Sequence, residues 1–164
     1  MTNVSNEMKT TNPEVVENEV IVANTADVVT KLSPAMFENT SEALFSTIQV
    51  TDRASKIKLY NAISDSENSL DDHKGEVLEI TDFVAHPIEL QDEQTGEMVQ
   101  AMRIVLIDKE GEGYHAISAG VVSSMQRIIS IVGQGPWTDE PLQVVPVEKK
   151  TRRGFKTLTL KLQG

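Results

Sequence analysis

The sequence predicts a mainly β domain in which one helix separates three strands from two. Five segments after residue 75 are rich in β-branched and other apolar residues, and turns rich in glycine, proline or acidic residues separate them. Between the third and fourth segments, apolar residues recur at helical spacing. Together these observations predict the element order strand, strand, strand, helix, strand, strand.

Residues 1–38 have the composition of a disordered tail. They are rich in Thr, Asn, Glu and Val, and they carry six acidic and two basic residues. We expect the folded domain over residues 41–164. The start of the chain does not resemble a signal peptide, and no stretch approaches the roughly 20 apolar residues of a membrane span. The expectation is a cytoplasmic protein with no membrane partner.

The segment from residue 52 to residue 61 is compatible with two structures. Asp52 could cap a short helix with Ala54, Ile57 and Tyr60 on one face. The same segment could be extended, because basic and apolar residues alternate along it. The pattern leaves this choice open.

The five β-prone segments differ in their expected exposure. Residues 97–107 are apolar nearly throughout, which predicts a central strand that is covered on both faces. Residues 43–50 are also β-prone, whereas residues 64–74 are polar and acidic and are predicted to be a loop. The predicted strands are Gly75–Leu90, Glu97–Ile107, Tyr114–Ile117, Leu142–Lys149 and Phe155–Leu162.

The helix is the clearest local pattern. Ser118 is a suitable N-cap, and Gly133 stands where a left-handed residue often ends a helix. Trp137 follows in a Gly-Pro loop and is expected to pack over one end of the fold. The apolar residues on one face are Val121, Val122, Met125, Ile128, Ile129 and Val132.

This element order is that of an OB fold, a five-stranded Greek-key barrel with one helix between its third and fourth strands. In an OB fold, the second and third strands and the loop between the fourth and fifth strands form the binding face. Here that loop corresponds to the basic turn at residues 149–154. The predicted fold is therefore an OB barrel preceded by a disordered acidic tail.

Charge is unevenly distributed along the chain. The net charge is −10, yet the last 23 residues contain six basic residues and one acidic residue. A smaller basic cluster contains Arg53, Lys56 and Lys58. Local basic strips can contact phosphates on an otherwise acidic protein. The alternative is that these lysines only keep an edge strand soluble.

The sequence contains few groups suited to catalysis. It has no cysteine, and His73, His86 and His115 match no common zinc spacing. His86 could be a residue at the edge of the core or a ligand contact. No phosphate-binding glycine loop and no nucleophile elbow are present. We expect no enzymatic activity, no cofactor and no metal.

Basic and aromatic residues occur together in several places, as binding of single-stranded nucleic acid requires. Other roles stay open: Tyr60 or Tyr114 could belong to the core, Phe155 could cover the barrel end, and Arg103 could pair with an acidic residue. The predicted DNA-binding residues are Lys56, Lys58, Tyr60, Arg103, Tyr114, His115, Lys149, Lys150, Arg152, Arg153, Phe155 and Lys156.

Several motifs follow one another over residues 43–164. They are Lys58–Ala62, the strand from Glu79, the turn Asp108–Gly111, the segment Tyr114–Ser118 before the helix, and the basic turn before Phe155. In this order they resemble the single-stranded DNA-binding proteins of tailed phages with protein-primed DNA replication.

This resemblance implies an OB fold, sequence-independent coating of DNA, and tyrosines that stack on bases. Tyr114 falls on one such tyrosine position, whereas the position near His86 has no tyrosine here. The predicted function is binding and protection of single-stranded DNA during phage replication, with the tail available to replication proteins. The alternative is an acidic protein-interaction module, or a DNA mimic, that makes no DNA contact.

Overall fold

The computed structural model describes residues 44–164, in which strands and two helices follow one another along the chain. The tail predicted for residues 1–38 lies outside the described residues. No helix within 44–164 is both long enough and apolar enough to cross a membrane. The elements are β1 (Phe45–Ser46), α1 (Arg53–Ser64), β2 (Asn68–Ser69), β3 (Leu78–Gln91), β4 (Met98–Asp108), β5 (Gly113–Ala116), α2 (Ala119–Ile131), β6 (Leu142–Lys150) and β7 (Lys156–Gln163).

The hairpin of β3 and β4 forms the centre of the sheet. The two strands pair antiparallel from Ile80 opposite Asp108 to Gln91 opposite Met98, with an irregularity after Ile80. Residues 104–107 of β4 are all buried. Successive side chains of a strand point to opposite faces, so both faces of β4 are covered here. The predicted central position of this strand is confirmed, but its first half is not covered, since Met98 and Val99 are exposed.

The sheet has the strand order β2-β5-β4-β3-β6-β7, and β1 also pairs with β3. β5 pairs antiparallel with β4, β6 pairs with the first residues of β3, and β7 pairs with β6. β2 pairs parallel with β5, inside the segment predicted to be a loop. That prediction missed a strand because two polar residues carry no β pattern of their own.

The predicted barrel is seen only in part. The five predicted strands correspond to β3–β7, and α2 lies between the third and the fourth of them. Within residues 44–164, however, no ladder joins β5 to β7. Instead Ser118, just after β5, donates through Oγ to the Leu158 carbonyl of β7 at 2.9 Å. The sheet is therefore a curled half-barrel, and the closed five-stranded Greek key is not confirmed.

One face of the sheet packs against α2 and forms the larger apolar cluster. Ser118 caps α2 by accepting the Gly120 N–H at 3.2 Å, and Gly133 has a φ of +117°, so both predicted helix ends are confirmed. Trp137 packs against this cluster and stacks on Phe83, with ring centroids 6.0 Å apart. The centre of the cluster contains Phe83, Ile104, Leu106, Val121 and Met125.

The opposite face of the sheet packs against α1, which decides between the two structures open for residues 52–61. Asp52 begins the helix with a capping box, because the Ser55 N–H donates to Asp52 Oδ1 at 2.8 Å. The face that carries Ala54, Ile57 and Tyr60 is not the one that meets the sheet. Leu59 and Ala62 face the sheet, whereas Ile57 and Tyr60 are exposed. Apolar residues lie on two sides of this helix, and spacing alone does not say which side meets the sheet.

Candidate nucleic-acid interface

The exposed side of α1 carries an aromatic ring beside basic residues. The Tyr60 side chain is 68% exposed, and exposed Lys56 lies four residues earlier, on the same side of the helix. Lys58 differs, because its Nζ lies 3.4 Å from Oδ2 of the buried carboxylate Asp82. The capped N-terminus of α1 and the buried Leu59 thus position Tyr60 and Lys56 towards solvent.

The basic hairpin, residues 149–156, presents the second aromatic ring. The Thr151 N–H donates to the Phe155 carbonyl at 2.7 Å, and Gly154 has a φ of +85°, so a tight turn joins β6 to β7. The Phe155 side chain is 68% exposed. This exposure shows that Phe155 does not cover the barrel end.

The basic side chains of the hairpin differ in whether they form an ion pair with an acidic residue. Lys156 Nζ lies 2.8 Å from Glu148 Oε1, and this hydrogen bond lowers the pKa of Glu148. The other four basic side chains are exposed, and in the part of the chain that the structure describes none of them forms an ion pair. These four are Lys149, Lys150, Arg152 and Arg153.

Tyr114 is more enclosed than Tyr60. Its side chain packs against the larger apolar cluster, and its hydroxyl donates to Asp108 Oδ2 at 3.2 Å. The His73 ring lies edge-on to it, with ring centroids 5.0 Å apart. Burial, with the nearby Asp108 charge, raises the pKa of Tyr114 to about 12. Its phenol is therefore neutral at physiological pH and bonded within the protein.

Arg103 and His115 lie on the sheet face that also contacts α1. Arg103 pairs across strands with His86, and His115 pairs with Val105, so the three basic side chains share this face. Arg103 Nη2 donates to Ser66 Oγ at 2.9 Å rather than to an acidic residue. The sequence prediction left His86 undecided. The turn at residues 92–97 could have predicted the position of His86, because that turn places residue 86 opposite residue 103.

The predicted DNA-binding residues fall into three groups. They lie on the exposed side of α1, in the basic hairpin, and on β4 and β5. α1 contacts β3 and β4, whereas the basic hairpin extends from β6 and β7. Within residues 44–164, no hydrogen bond or ion pair joins these two cationic groups, and no cluster of three or more potential ligands could hold a metal ion.

Comparisons with known proteins identify the family. No curated protein and no solved structure matches the chain. A family model described as "Phage Single-stranded DNA-binding protein" matches residues 38–163. This range includes every helix and strand described above, together with both exposed aromatic rings, and it confirms the resemblance found in the sequence. The chain therefore belongs to the family of phage single-stranded DNA-binding proteins.

Proposed function

We propose that this protein coats single-stranded DNA during phage replication without regard to base sequence. Membership of the family supports binding of single-stranded DNA as such. Binding without regard to base sequence is supported by the exposure of two aromatic rings. Tyr60 and Phe155 are each 68% exposed, and each lies beside basic residues. A cation for the phosphate and a ring for the base are the two components of a single-strand site.

Stacking on these rings explains why bases of any identity would bind. Every base has a π-face, and stacking on an aromatic side chain contributes about 1–3 kcal/mol per base. Phe155 has no polar atom that would favour its exposure to water, whereas a stacked base would cover it. Tyr114, the position implied by the resemblance, is less exposed, and we expect a smaller contribution from it.

Phosphates would bind chiefly to cations that have no carboxylate partner. Lys149, Lys150, Arg152 and Arg153 meet this condition among the described residues, and Lys56 does so on α1. Lys58 and Lys156 already pair with Asp82 and Glu148, and we expect weaker contributions from them. The acidic surface elsewhere would repel the strand and thereby confine it to these cations.

The role in replication concerns the whole chain. A protein that binds every base equally could cover exposed template strands and remove their secondary structure. The acidic segment at residues 1–38 carries no basic cluster. We propose that it remains outside the DNA site and is available to replication proteins.

Alanine substitutions test the stacking proposal. Fluorescence anisotropy of a labelled oligo(dT) would measure the affinities of Tyr60→Ala, Phe155→Ala and Ile57→Ala. Each aromatic substitution should weaken binding about 5- to 150-fold, as expected for loss of one stacked base. Ile57→Ala is the matched control, because Ile57 is an exposed apolar residue on the same helix. It should change affinity less than about twofold.

Two outcomes would count against the proposal. Wild-type affinity in both aromatic variants would exclude stacking on these rings. Failure of the wild-type protein to bind oligo(dT) at low salt would favour the alternative, an acidic interaction module. Circular dichroism of each variant separates lost folding from lost binding.

A further inference from the structure

Three basic side chains point to the sheet face that also contacts α1. His86 of β3 lies directly opposite Arg103 of β4, and His115 of β5 lies opposite Val105, two residues along β4. Residues opposite each other across a ladder point to the same face. We call these three residues the His-Arg-His cluster.

Each member of the cluster has a side-chain nitrogen without a hydrogen-bond partner in residues 44–164. His86 Nε2, Arg103 Nε and His115 Nδ1 are buried and have no hydrogen-bond partner among the described residues. Nearly all buried polar groups in folded proteins have one. The one bond that Arg103 makes here, from Nη2 to Ser66 Oγ at 2.9 Å, holds the guanidinium over the sheet. The cluster thus has hydrogen-bonding capacity that the described protein groups do not use.

An anion with several oxygens has the chemistry that suits this cluster. A guanidinium can only donate hydrogen bonds, and an imidazole donates from both nitrogens once it is protonated. A phosphate could accept from Arg103 and from a histidine together, in charge-assisted bonds. Both histidines are only half-buried, so side-chain rotation would be enough for an incoming phosphate to reach them.

The charges around His86 predict how this site responds to protons. Burial, and next the positive charge of Arg103, lower the pKa of His86, so the free protein holds it neutral near pH 7. On the same face, Lys58 is paired with Asp82. On the segment before β2, exposed Asp65 and Glu67 flank Ser66. Leu44, the first residue that the structure describes and the one before β1, is uncharged. A phosphate brought next to His86 would reverse the effect of Arg103 and favour the imidazolium.

We propose that the His-Arg-His cluster is a phosphate subsite at which single-stranded DNA binds with uptake of a proton. This inference rests on the proposed function. Because the bound state would hold more protons than the free state, affinity should increase as the pH falls. Each proton taken up can change affinity at most tenfold per pH unit, so a gain of about 3- to 10-fold between roughly pH 8 and pH 6 is expected for one histidine.

Histidine titrations followed by NMR test the proposal in the wild-type protein. The pKa of His86 should be higher in the complex with oligo(dT) than in the free protein. His73, which lies outside the cluster with its Nδ1 2.8 Å from Glu76 Oε2, provides the comparison within the same spectra. Identical titration of His86 in the free and bound protein would overturn the proposal.

Glutamine substitutions provide the second measurement. The double variant His86→Gln/His115→Gln should bind oligo(dT) with nearly the same affinity at pH 8 and pH 6, whatever that affinity is, because it has lost the groups that take up the proton. His73→Gln should keep the gain in affinity at pH 6. If the wild type binds oligo(dT) tightly but equally at both pH values, only the proton-coupled subsite is rejected. If oligo(dT) does not bind at either pH, the proposed function fails as well.

Discussion

At the scale of single residues, Gly120 determines how closely α2 approaches the sheet. A Cβ atom at this position would overlap the Leu158 carbonyl oxygen and would lie 2.7 Å from Thr157 Oγ1. The same close approach lets the Leu160 N–H donate to Ser124 Oγ at 3.1 Å. α2 thus packs closely against β7, on the side of the half-barrel where β5 and β7 do not pair.

Gly120→Ala should destabilise the protein although alanine is the better helix former. Helix propensity favours alanine by about 1 kcal/mol, but overpacking against backbone costs about 1–3 kcal/mol and should prevail. Urea unfolding measures the free energy of unfolding. Ser123→Ala, at an exposed position of the same helix, should change it by less than about 0.5 kcal/mol. A Gly120→Ala variant more stable than wild type would contradict this packing.

Individual residues also show what sequence patterns can predict. The ends of α2 were predictable because an N-cap serine and a left-handed glycine are local requirements of a helix. The exposure of Tyr60 was not, because it depends on which side of α1 meets the sheet. The pairing of His86 with Arg103 could have been predicted from the sequence, since it follows from the position of one turn.

At the scale of elements, the basic hairpin concentrates in a short turn four cations that form no ion pair with any residue the structure describes. Binding to phosphates releases counterions, so the slope of log affinity against log salt reports how many phosphates a protein neutralises. Each contact with single-stranded DNA contributes about 0.7 to this slope. Loss of hairpin cations should therefore change the salt slope, whereas loss of a stacking ring should change the affinity and leave the slope unaltered.

Arg152→Ala/Arg153→Ala should reduce the salt slope by about 1.4, the value for two lost phosphate contacts. Anisotropy titrations of oligo(dT) at several salt concentrations measure it. Arg127→Ala/Lys161→Ala is the matched control, because it removes the same charge from exposed positions on α2 and β7. An equal reduction of the salt slope in both variants would mean that the two hairpin arginines make no specific contact with phosphates.

Elements were predictable where the pattern extends over many residues. β3, β4, β6, β7 and α2 were recognised because an apolar run or a periodic pattern extends over eight or more residues in each of them. β2 has two polar residues, and its pairing with β5 depends entirely on tertiary structure. The absence of a β5–β7 ladder likewise depends on how far the sheet curls, which no local pattern records.

At the scale of the whole molecule, the charge distribution reconciles an acidic protein with a nucleic-acid ligand. Residues 44–164 contain 18 acidic and 13 basic residues, a net charge of −5. Most of the cations that form no ion pair within this range lie in the basic hairpin and on α1, so the remaining surface would repel DNA. Exposed rings would add selectivity, because they can stack only on bases that are not already stacked in a duplex.

The preference for single strands is the central claim, and a competition titration tests it most directly. Bound labelled oligo(dT) would be displaced by unlabelled single-stranded or duplex competitors of equal length, at two salt concentrations. Single strands should compete at least tenfold better than duplex, roughly the contribution of one stacked base to affinity, and both affinities should fall as salt rises. Equal competition by single strands and duplex would contradict this preference.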